Sequence, residues 1–190
     1  MQSGTPDSDL VVASLGGGDK AARAADEIIH RHHEAIYRFL YKLTGRREDA
    51  EDLTQDTFLL ALRKLKTFKP GSDLRPWLFT IARRQAISQW RKAKPVCELF
   101  EHDHPTTPND HSHDAIALWE LAKRSLKRDE YMALWLHYQE ALPVKEIAKI
   151  LRKTTPHLKV ILHRARKRLG KHLAKTSDAW LPGQALKLPL

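Results

Sequence analysis

Apolar residues recur every three or four positions over most of this chain, and this spacing limits the fold more than any other feature of the sequence. It is the spacing of an amphipathic helix with one apolar side. The spacing runs from Lys20 to Leu43 and returns in Arg46–Lys66, in Leu74–Lys92 and again after Asp114. The sequence therefore predicts an all-α protein.

The helical spacing disappears between Lys94 and His113. This segment contains three prolines, is acidic and rich in histidine, and has no periodicity. We interpret it as a flexible linker between two small helical domains. The predicted organisation is a first domain over residues 1–93, the linker over 94–113, a second domain over 114–175 and a C-terminal tail over 176–190.

The composition limits the partners and the location. A net charge of +10 favours contact with a polyanion, either nucleic acid or an anionic membrane surface. No apolar run approaches the ~20 residues of a membrane span, and the N-terminus lacks a basic region followed by an apolar stretch. We therefore expect a cytoplasmic protein without membrane insertion. The single cysteine, Cys97, excludes an intrachain disulfide.

Histidines occur in two groups that raise the question of a metal site. His30, His32 and His33 lack the glutamate of a HExxH motif, so we interpret them as histidines on a helix surface. The linker carries Cys97, His102, His104, His111 and His113, at a spacing that matches no established zinc pattern. We expect no metal and no cofactor. Because no nucleophile and base pair and no phosphate-binding loop occur, we also expect no enzyme activity, and a metal-dependent enzyme is the weaker alternative.

The helix predicted over Arg46–Lys66 has two different sides. One side is predicted to face the core and carries Ala50, Leu53, Thr57, Leu60 and Ala61. The opposite side, which we call the acidic face, consists of Asp52, Gln55, Asp56 and Leu59, with Phe58 and Leu62 beside it. Such a face is either a solvated helix surface or a protein-binding patch. Carboxylates beside large apolar groups in a basic protein favour the patch.

The helix predicted over Leu74–Lys92 combines aromatic and basic residues. Trp77, Arg84, Ser88 and Arg91 follow one another at spacings of seven, four and three, which places them on one side. Cations neutralise phosphates, and a flat ring or guanidinium stacks on an unpaired base, so this side suits single-stranded or melting DNA. The alternative is that Trp77 and Trp90 are core residues.

The C-terminal part predicts a helix-turn-helix. A short apolar helix follows Pro143, and a second, basic helix from Pro156 to about Lys175 follows a tight turn with Thr155 as candidate N-cap. The side predicted to face inward carries Leu158, Ile161, Leu162, Ala165 and Leu169. The helix also carries the basic side chains Lys159, His163, Arg164, Arg166, Lys167, Arg168 and Lys171. In a recognition helix, residues near the start reach base edges and the later cations meet phosphates. The alternative is a basic helix that is simply solvated.

These segments resemble a known family. DAEDLTQDTFLLAL, followed by a turn and RPWLFTIARRQAISQWRK, resembles region 2 of the extracytoplasmic-function sigma factors, the smallest promoter-recognition subunits of bacterial RNA polymerase. VKEIAKILRKTTPHLKVILHRARKRL is similar to their region 4, and the resemblance extends from about Leu10 to Leu173. It implies a sigma factor that binds core polymerase, directs promoter-specific initiation and is held inactive by a cognate anti-sigma factor.

The resemblance implies three groups of site residues. The residues that match the grip on the clamp helices of the largest polymerase subunit are Asp52, Leu53, Gln55, Asp56 and Leu59. The residues that match capture and melting of the minus-ten element are Arg75, Trp77, Arg83, Arg84, Gln85, Ser88, Gln89 and Arg91. The residues that match minus-thirty-five recognition are Thr155, His157, Lys159, His163, Arg164 and Arg166. The family also places its second domain on the flap of the second-largest subunit.

The chain departs from the family at a few positions. Many relatives have Asn at Arg84 and Asp-Arg at Ser88-Gln89, which predicts an unusual minus-ten preference. The turn reads Leu-Arg-Lys-Thr from Leu151, where relatives read Leu-Gly-Ile-Ser, and Lys159-Val160-Ile161 replaces a Lys-Ser-Arg triplet. Losing the glycine predicts a change in the turn or its packing. A helix-turn-helix regulator that acts without polymerase is the alternative function, but it has no use for the acidic face.

Overall fold

The computed structural model describes residues 5–69, 71–92 and 113–177, and these contain helices and no strand. The chain divides into two compact units, with the boundary between residues 106 and 107. The all-α prediction is therefore confirmed. Apart from His113, the predicted linker over 94–113 lies outside the described residues, as does the tail from residue 178 onward, and with them lies the proposed Cys97 and histidine group.

The first unit contains four α-helices and one short 3₁₀ turn. Their bounds are α1, Asp7–Ser14; α2, Gly18–Thr44; α3, Arg47–Lys64; the 3₁₀ turn, Leu65–Thr67; and α4, Leu74–Lys92. Gly45 ends α2 in the left-handed conformation at φ 73°, where its N–H donates to the Tyr41 carbonyl oxygen at 2.8 Å. Asp19 is not the N-cap of α2. The helix already begins at Gly18, so Asp19 lies inside the first turn.

The core of the first unit lies where α2, α3 and α4 pack together. Phe39 of α2 and Phe79 of α4 are both fully buried, with ring centroids 5.0 Å apart and an interplanar angle of 77°. This edge-to-face pairing is one that aromatic rings prefer. Ile36, Leu40 and Ala82 are also buried. The predicted core side of α3 is confirmed, with Leu60 half-buried and the other four residues buried.

The short helix α1 is fixed to α2 by a polar contact that the sequence pattern did not predict. His32 is only 7% exposed, and its Nε2 lies 2.8 Å from Asp7 Oδ2. Arg31 donates from Nη1 to Asp7 Oδ1 at 2.9 Å and to the Thr5 carbonyl oxygen at 2.8 Å. The prediction that His32 lies on the helix surface is therefore wrong. Its carboxylate partner, Asp7, stands 25 residues earlier in the sequence, so the spacing within α2 does not indicate the contact.

The second unit contains four α-helices. Their bounds are α5, His113–Ser125; α6, Arg128–Tyr138; α7, Val144–Leu151; and α8, Thr155–Ser177. Residues Tyr131 to Leu136 are all buried, so α6 lies at the centre of the unit. Trp119 contacts the rings of Tyr131 and Trp135 at centroid distances of 5.9 and 5.1 Å. Burial raises the pKa of the Tyr131 hydroxyl, and the Glu120 carboxylate adds to the shift, so Tyr131 stays protonated at neutral pH.

The turn between α7 and α8 is closed by backbone hydrogen bonds. The N–H of Lys153 donates to the Ala148 carbonyl oxygen at 2.9 Å, and the N–H of Arg152 donates to the Lys149 carbonyl oxygen at 3.2 Å. These two bonds form a Schellman motif. Arg152 lies at its left-handed position, with φ 55° and ψ 45°. Glycine adopts this conformation without steric cost, whereas a residue with a Cβ is disfavoured there.

We expect Arg152→Gly to stabilise the second unit by about 0.5–1 kcal/mol, because relief of the left-handed strain outweighs the added freedom of the unfolded chain. Native-state hydrogen exchange should then slow roughly two- to fivefold in α7. The control is Lys145→Gly, which places glycine at an exposed helical position of α7 and should speed exchange. Equal or faster exchange in Arg152→Gly would show that the turn is not strained.

Candidate functional site

The acidic face is exposed along α3. Asp52, Gln55 and Asp56 are exposed, and the Leu59 side chain is 54% exposed although it is large and apolar. Leu53 does not belong to this surface. It is 4% exposed and packs in the core, so its contact with a partner stays a prediction that the acidic face does not support directly.

A row of rings on α2 covers the neighbouring residue Phe58. His33 stacks on Phe58 with centroids 6.2 Å apart, and on Tyr37 at 6.4 Å. Phe58 is therefore only 4% exposed, which contradicts the expectation that it flanks the acidic face as an exposed ring. Leu62 is half-buried. The exposed apolar contribution on this side of α3 comes mainly from Leu59.

The acidic residues at the start of α3 differ in their ion pairs. Arg47 Nε lies 2.7 Å from Glu51 Oε1, and Arg46 Nε lies 3.9 Å from Asp49 Oδ2. In the described part of the chain, the two carboxylates of the acidic face form no ion pair. Glu48, one turn before the face on the same side, is also exposed and extends it. Glu48 precedes Asp52 by four residues, so the helical spacing indicates it, although the predicted acidic face does not include it.

The helix α4 begins where Asp73 Oδ1 accepts a hydrogen bond from the Arg75 N–H at 3.0 Å. Along one side of α4, Arg84, Ser88 and Arg91 are exposed. Trp77 lies on the same side but is half-buried, and its ring packs edge-on against Phe68 with centroids 5.3 Å apart. It therefore contributes to the core and still presents part of its surface. The side chain of Trp90 lies outside the described residues.

The remaining residues predicted for the minus-ten element are placed elsewhere on α4. Arg75, Arg83, Gln85 and Gln89 are half-buried. The Arg75 guanidinium lies 5.9 Å from the centroid of the buried Phe79 ring. Gln85 and Gln89 follow each other by one turn, roughly 100–160° around the helix from the exposed arginines. The structure thus groups Arg84, Ser88 and Arg91 with Trp77 and separates them from the two glutamines.

The start of α8 lies one residue earlier than predicted. Thr154 Oγ1 accepts the His157 N–H at 3.3 Å, and the Thr154 carbonyl oxygen accepts the Leu158 N–H at 2.9 Å. Thr154 is therefore the N-cap, and the expectation that Thr155 caps the helix is wrong. Both residues are threonines with the same capping chemistry, and the turn geometry selects the first. Thr155 lies in the first turn and is half-buried.

The two sides of α8 match the prediction closely. Leu158, Ile161, Leu162 and Ala165 are buried and Leu169 is half-buried. The exposed side carries His157, Lys159, His163, Arg164 and Arg166. Lys167 and Lys171 are exposed along the same side, as the helical spacing indicates, although the set implied by the family resemblance does not include them.

Arg168 differs from the other cations of α8. Its Nη1 donates to Glu130 Oε2 at 2.6 Å, and that oxygen also accepts the Lys127 N–H at 3.0 Å. The Glu130 side chain is 9% exposed and that of Arg168 is 38% exposed. Arg168 therefore joins α8 to α6, and we no longer group it with the phosphate-facing cations.

The described residues contain neither a membrane-spanning helix nor a metal-binding group. No helix there has the length and apolar character that crossing a bilayer requires. No group of three or more His, Cys, Asp or Glu side chains there is arranged to hold a metal ion.

Comparison with known proteins identifies both units. Residues 28–96 match the family Sigma-70 region 2, and residues 116–169 match Sigma-70, region 4. The chain is 30% identical to the ECF RNA polymerase sigma factor SigE of Mycolicibacterium smegmatis, over 85% of this chain and 66% of that protein. It is also 30% identical to the ECF sigma factor SigM of Bacillus subtilis, over 76% of this chain and 91% of that protein.

Solved structures agree with this assignment. The sigma factor RpoE of Bartonella quintana, crystallised with the anti-sigma factor NepR, is 28% identical with a TM-score of 0.67, covering 78% of this chain and 96% of that one. CnrH, solved with the cytosolic domain of CnrY, shares the fold at 21% identity and a TM-score of 0.66, covering 89% and 97%. Because regions 2 and 4 occur in order, and because SigM is 30% identical with 91% of its length covered, the chain belongs to the extracytoplasmic-function sigma factors of RNA polymerase.

Proposed function

We propose that this sigma factor binds core RNA polymerase through the acidic face of α3, melts the minus-ten element with α4 and reads the minus-thirty-five element with α8. One observation carries the proposal: among the described residues, an acidic face whose carboxylates form no ion pair occurs together with two separate basic helix surfaces. A helix-turn-helix regulator that acts alone would use only the second unit and would leave the acidic face without a purpose.

The composition of the acidic face supports a protein partner with a basic surface. Asp52 and Asp56, whose carboxylates have no ion-pair partner in the described part of the chain, lie beside the exposed Leu59 side chain. Charge complementarity guides association, and an apolar group in the centre supplies burial. The clamp helices of the largest polymerase subunit are the proposed partner. By resemblance, the second unit would contact the flap of the second-largest subunit.

For the minus-ten element, the proposal assigns different roles along α4. Arg84 and Arg91 are exposed cations suited to phosphates, and the accessible part of the Trp77 ring is suited to stacking on an unpaired base. Ser88 lies between the two arginines and offers a hydroxyl to a base edge. The half-buried Arg75, Arg83, Gln85 and Gln89 are assigned to the flanks of the bound strand.

For the minus-thirty-five element, α8 is proposed to enter the major groove with its first turns. Thr155, His157 and Lys159 are nearest its N-terminus and would reach base edges. His163, Arg164 and Arg166 follow, and the exposed Lys167 extends this basic surface. The later cations, Arg164, Arg166 and Lys167, would neutralise phosphates and fix the register of the helix.

Control by an anti-sigma factor follows from the relatives. The RpoE relative of Bartonella quintana was crystallised with an anti-sigma factor. We propose that a cognate anti-sigma factor covers the acidic face and the DNA-binding helices of this chain in the cytoplasm. Because covering these surfaces would block both polymerase and promoter, one inhibitor would be sufficient.

The proposal is tested by run-off transcription with purified core polymerase and templates with randomised promoters. We expect transcripts that require this chain and that share an upstream and a minus-ten sequence. The two elements recovered would define the promoter. If the chain instead bound specific duplexes without core polymerase and produced no transcripts, the solitary regulator would replace the proposed function.

Arg164→Ala is expected to weaken binding of the holoenzyme to the upstream element about tenfold, because an exposed cation that meets a phosphate is lost. The slope of log affinity against log salt should fall by about 0.9 for each phosphate contact removed. Fluorescence anisotropy over a salt series measures both quantities. The control is Arg124→Ala, which removes an exposed arginine from α5 and should leave the slope unchanged. If Arg164→Ala left the slope unchanged, Arg164 would not contact DNA.

A further inference from the structure

We propose that Val160 recognises the C5-methyl group of a thymine in the minus-thirty-five element. This inference rests on the proposed function of α8 and goes further, since it names the base feature that the helix reads. Within the described part of the chain, Val160 is 43% exposed although its side chain is apolar. Of its two neighbours in the sequence, Lys159 is exposed at the edge of this side of α8, and Ile161 is buried in the core.

The position of Val160 on α8 is central. It lies one turn before His163 and Arg164 and two turns before Lys167, all of which are exposed on the same side. In this part of the helix the side that faces the core carries Leu158, which is buried. Val160 is thus an apolar side chain in the middle of a basic surface rather than the edge of the core.

This placement is particular to α8. Six large apolar side chains are exposed in the described part of the chain, and only Val160 lies in the first two turns of this helix. The others are Val12, Leu15, Leu59, Tyr138 and Leu173. When the cations around Val160 bind phosphates, its two methyl groups are brought against the floor of the groove.

The chemistry of the major groove then selects the base. Guanine, adenine and cytosine present hydrogen-bond donors or acceptors there, and a valine pressed against them would remove water without replacing its hydrogen bonds. Thymine also presents an acceptor, O4, but beside it stands a methyl group, which is the apolar feature of the major groove. Valine is also stiff at χ1, so its methyl groups keep one orientation. Contact between the two apolar groups is therefore the favoured arrangement.

The test uses holoenzyme assembled from this chain and core polymerase. Duplexes are first selected from a library randomised over the upstream element, and each thymine of the selected sequence is then replaced singly by deoxyuridine, which lacks only the methyl group. We expect one replacement to weaken binding about fourfold, the effect of burying one methyl group. Val160→Ala should bind the thymine and deoxyuridine duplexes equally. Since alanine is the better helix former, the fold is retained. Leu173→Ala, which truncates an exposed apolar residue late in α8, should keep the discrimination.

The outcomes separate this inference from the proposed function. If no thymine methyl affected binding, or if the effect persisted in Val160→Ala, the role of Val160 would be excluded while upstream recognition by α8 remained. If the holoenzyme selected no upstream sequence and Arg164→Ala behaved like the parent chain, both the proposed recognition and the role of Val160 would be excluded.

Discussion

Asp56→Arg is expected to weaken binding to core RNA polymerase on the order of 100-fold while leaving the helical fold unchanged. Asp56 is exposed in the middle of the acidic face and makes no ion pair in the described part of the chain, so its loss removes no internal contact. At the proposed interface, however, the new guanidinium would face the basic partner surface. A like charge there causes repulsion in addition to the lost attraction, which is why reversal has a larger expected effect than neutralisation.

The measurement is a titration of fluorescently labelled sigma factor with core polymerase at two salt concentrations. Asp26→Arg is the matched control, since it makes the same change of charge at an exposed position of α2. Circular dichroism should show the same helix content for both variants. If Asp56→Arg bound the core as tightly as Asp26→Arg does, the acidic face would not be the polymerase-binding surface.

The helices were predictable because each depends on a local pattern. For α4 the predicted bounds Leu74 and Lys92 are those observed, since the turn before it is rich in Pro and Gly and Asp73 supplies the first capping bond. The bounds of α2 and α3 were within two residues. Where two neighbouring residues share one chemistry, as with Thr154 and Thr155, the sequence pattern does not select between them.

The errors concern contacts between residues that are distant in the sequence. Asp7 buries His32 from 25 residues away, and His33 of α2 covers Phe58 of α3. The spacing of apolar residues cannot predict such pairings, because it describes the buried side of one helix and not its contacts with another. Leu53 is a different case. The helical spacing predicts that it faces the core, whereas the family resemblance places it at the polymerase interface. The structure agrees with the helical spacing.

The site residues remain predictions even though the family is established. A family match assigns regions 2 and 4, whereas the role of a side chain depends on what it contacts. On α8 the sequence placed seven basic side chains together, yet Arg168 bonds to Glu130 and the exposed Arg164 does not. The two arginines stand one turn apart on the same helix, so only tertiary packing distinguishes them.

Arg168→Met is expected to destabilise the second unit by about 2–3 kcal/mol. The guanidinium is the only side-chain donor that the described part of the chain shows at Glu130 Oε2, and without it a nearly buried carboxylate keeps just the Lys127 N–H. Removing one partner of a buried ion pair costs about 3–5 kcal/mol, and the partial exposure of Arg168 lowers this value. Methionine preserves the length of the side chain, so the loss of charge rather than of packing is tested.

Native-state hydrogen exchange of the full chain measures this effect. Amides of α6 and α8 should exchange on the order of 50-fold faster in Arg168→Met, whereas those of α2 in the first unit should be unchanged. Arg164→Met is the matched control, because it makes the same substitution at an exposed position one turn earlier and should leave exchange unaltered. DNA binding should respond in the opposite way when measured under conditions where both variants are folded: it should be impaired in Arg164→Met and retained in Arg168→Met. If exchange were unchanged in Arg168→Met, the ion pair would not stabilise the unit, and Arg168 would again be a candidate for phosphate contact.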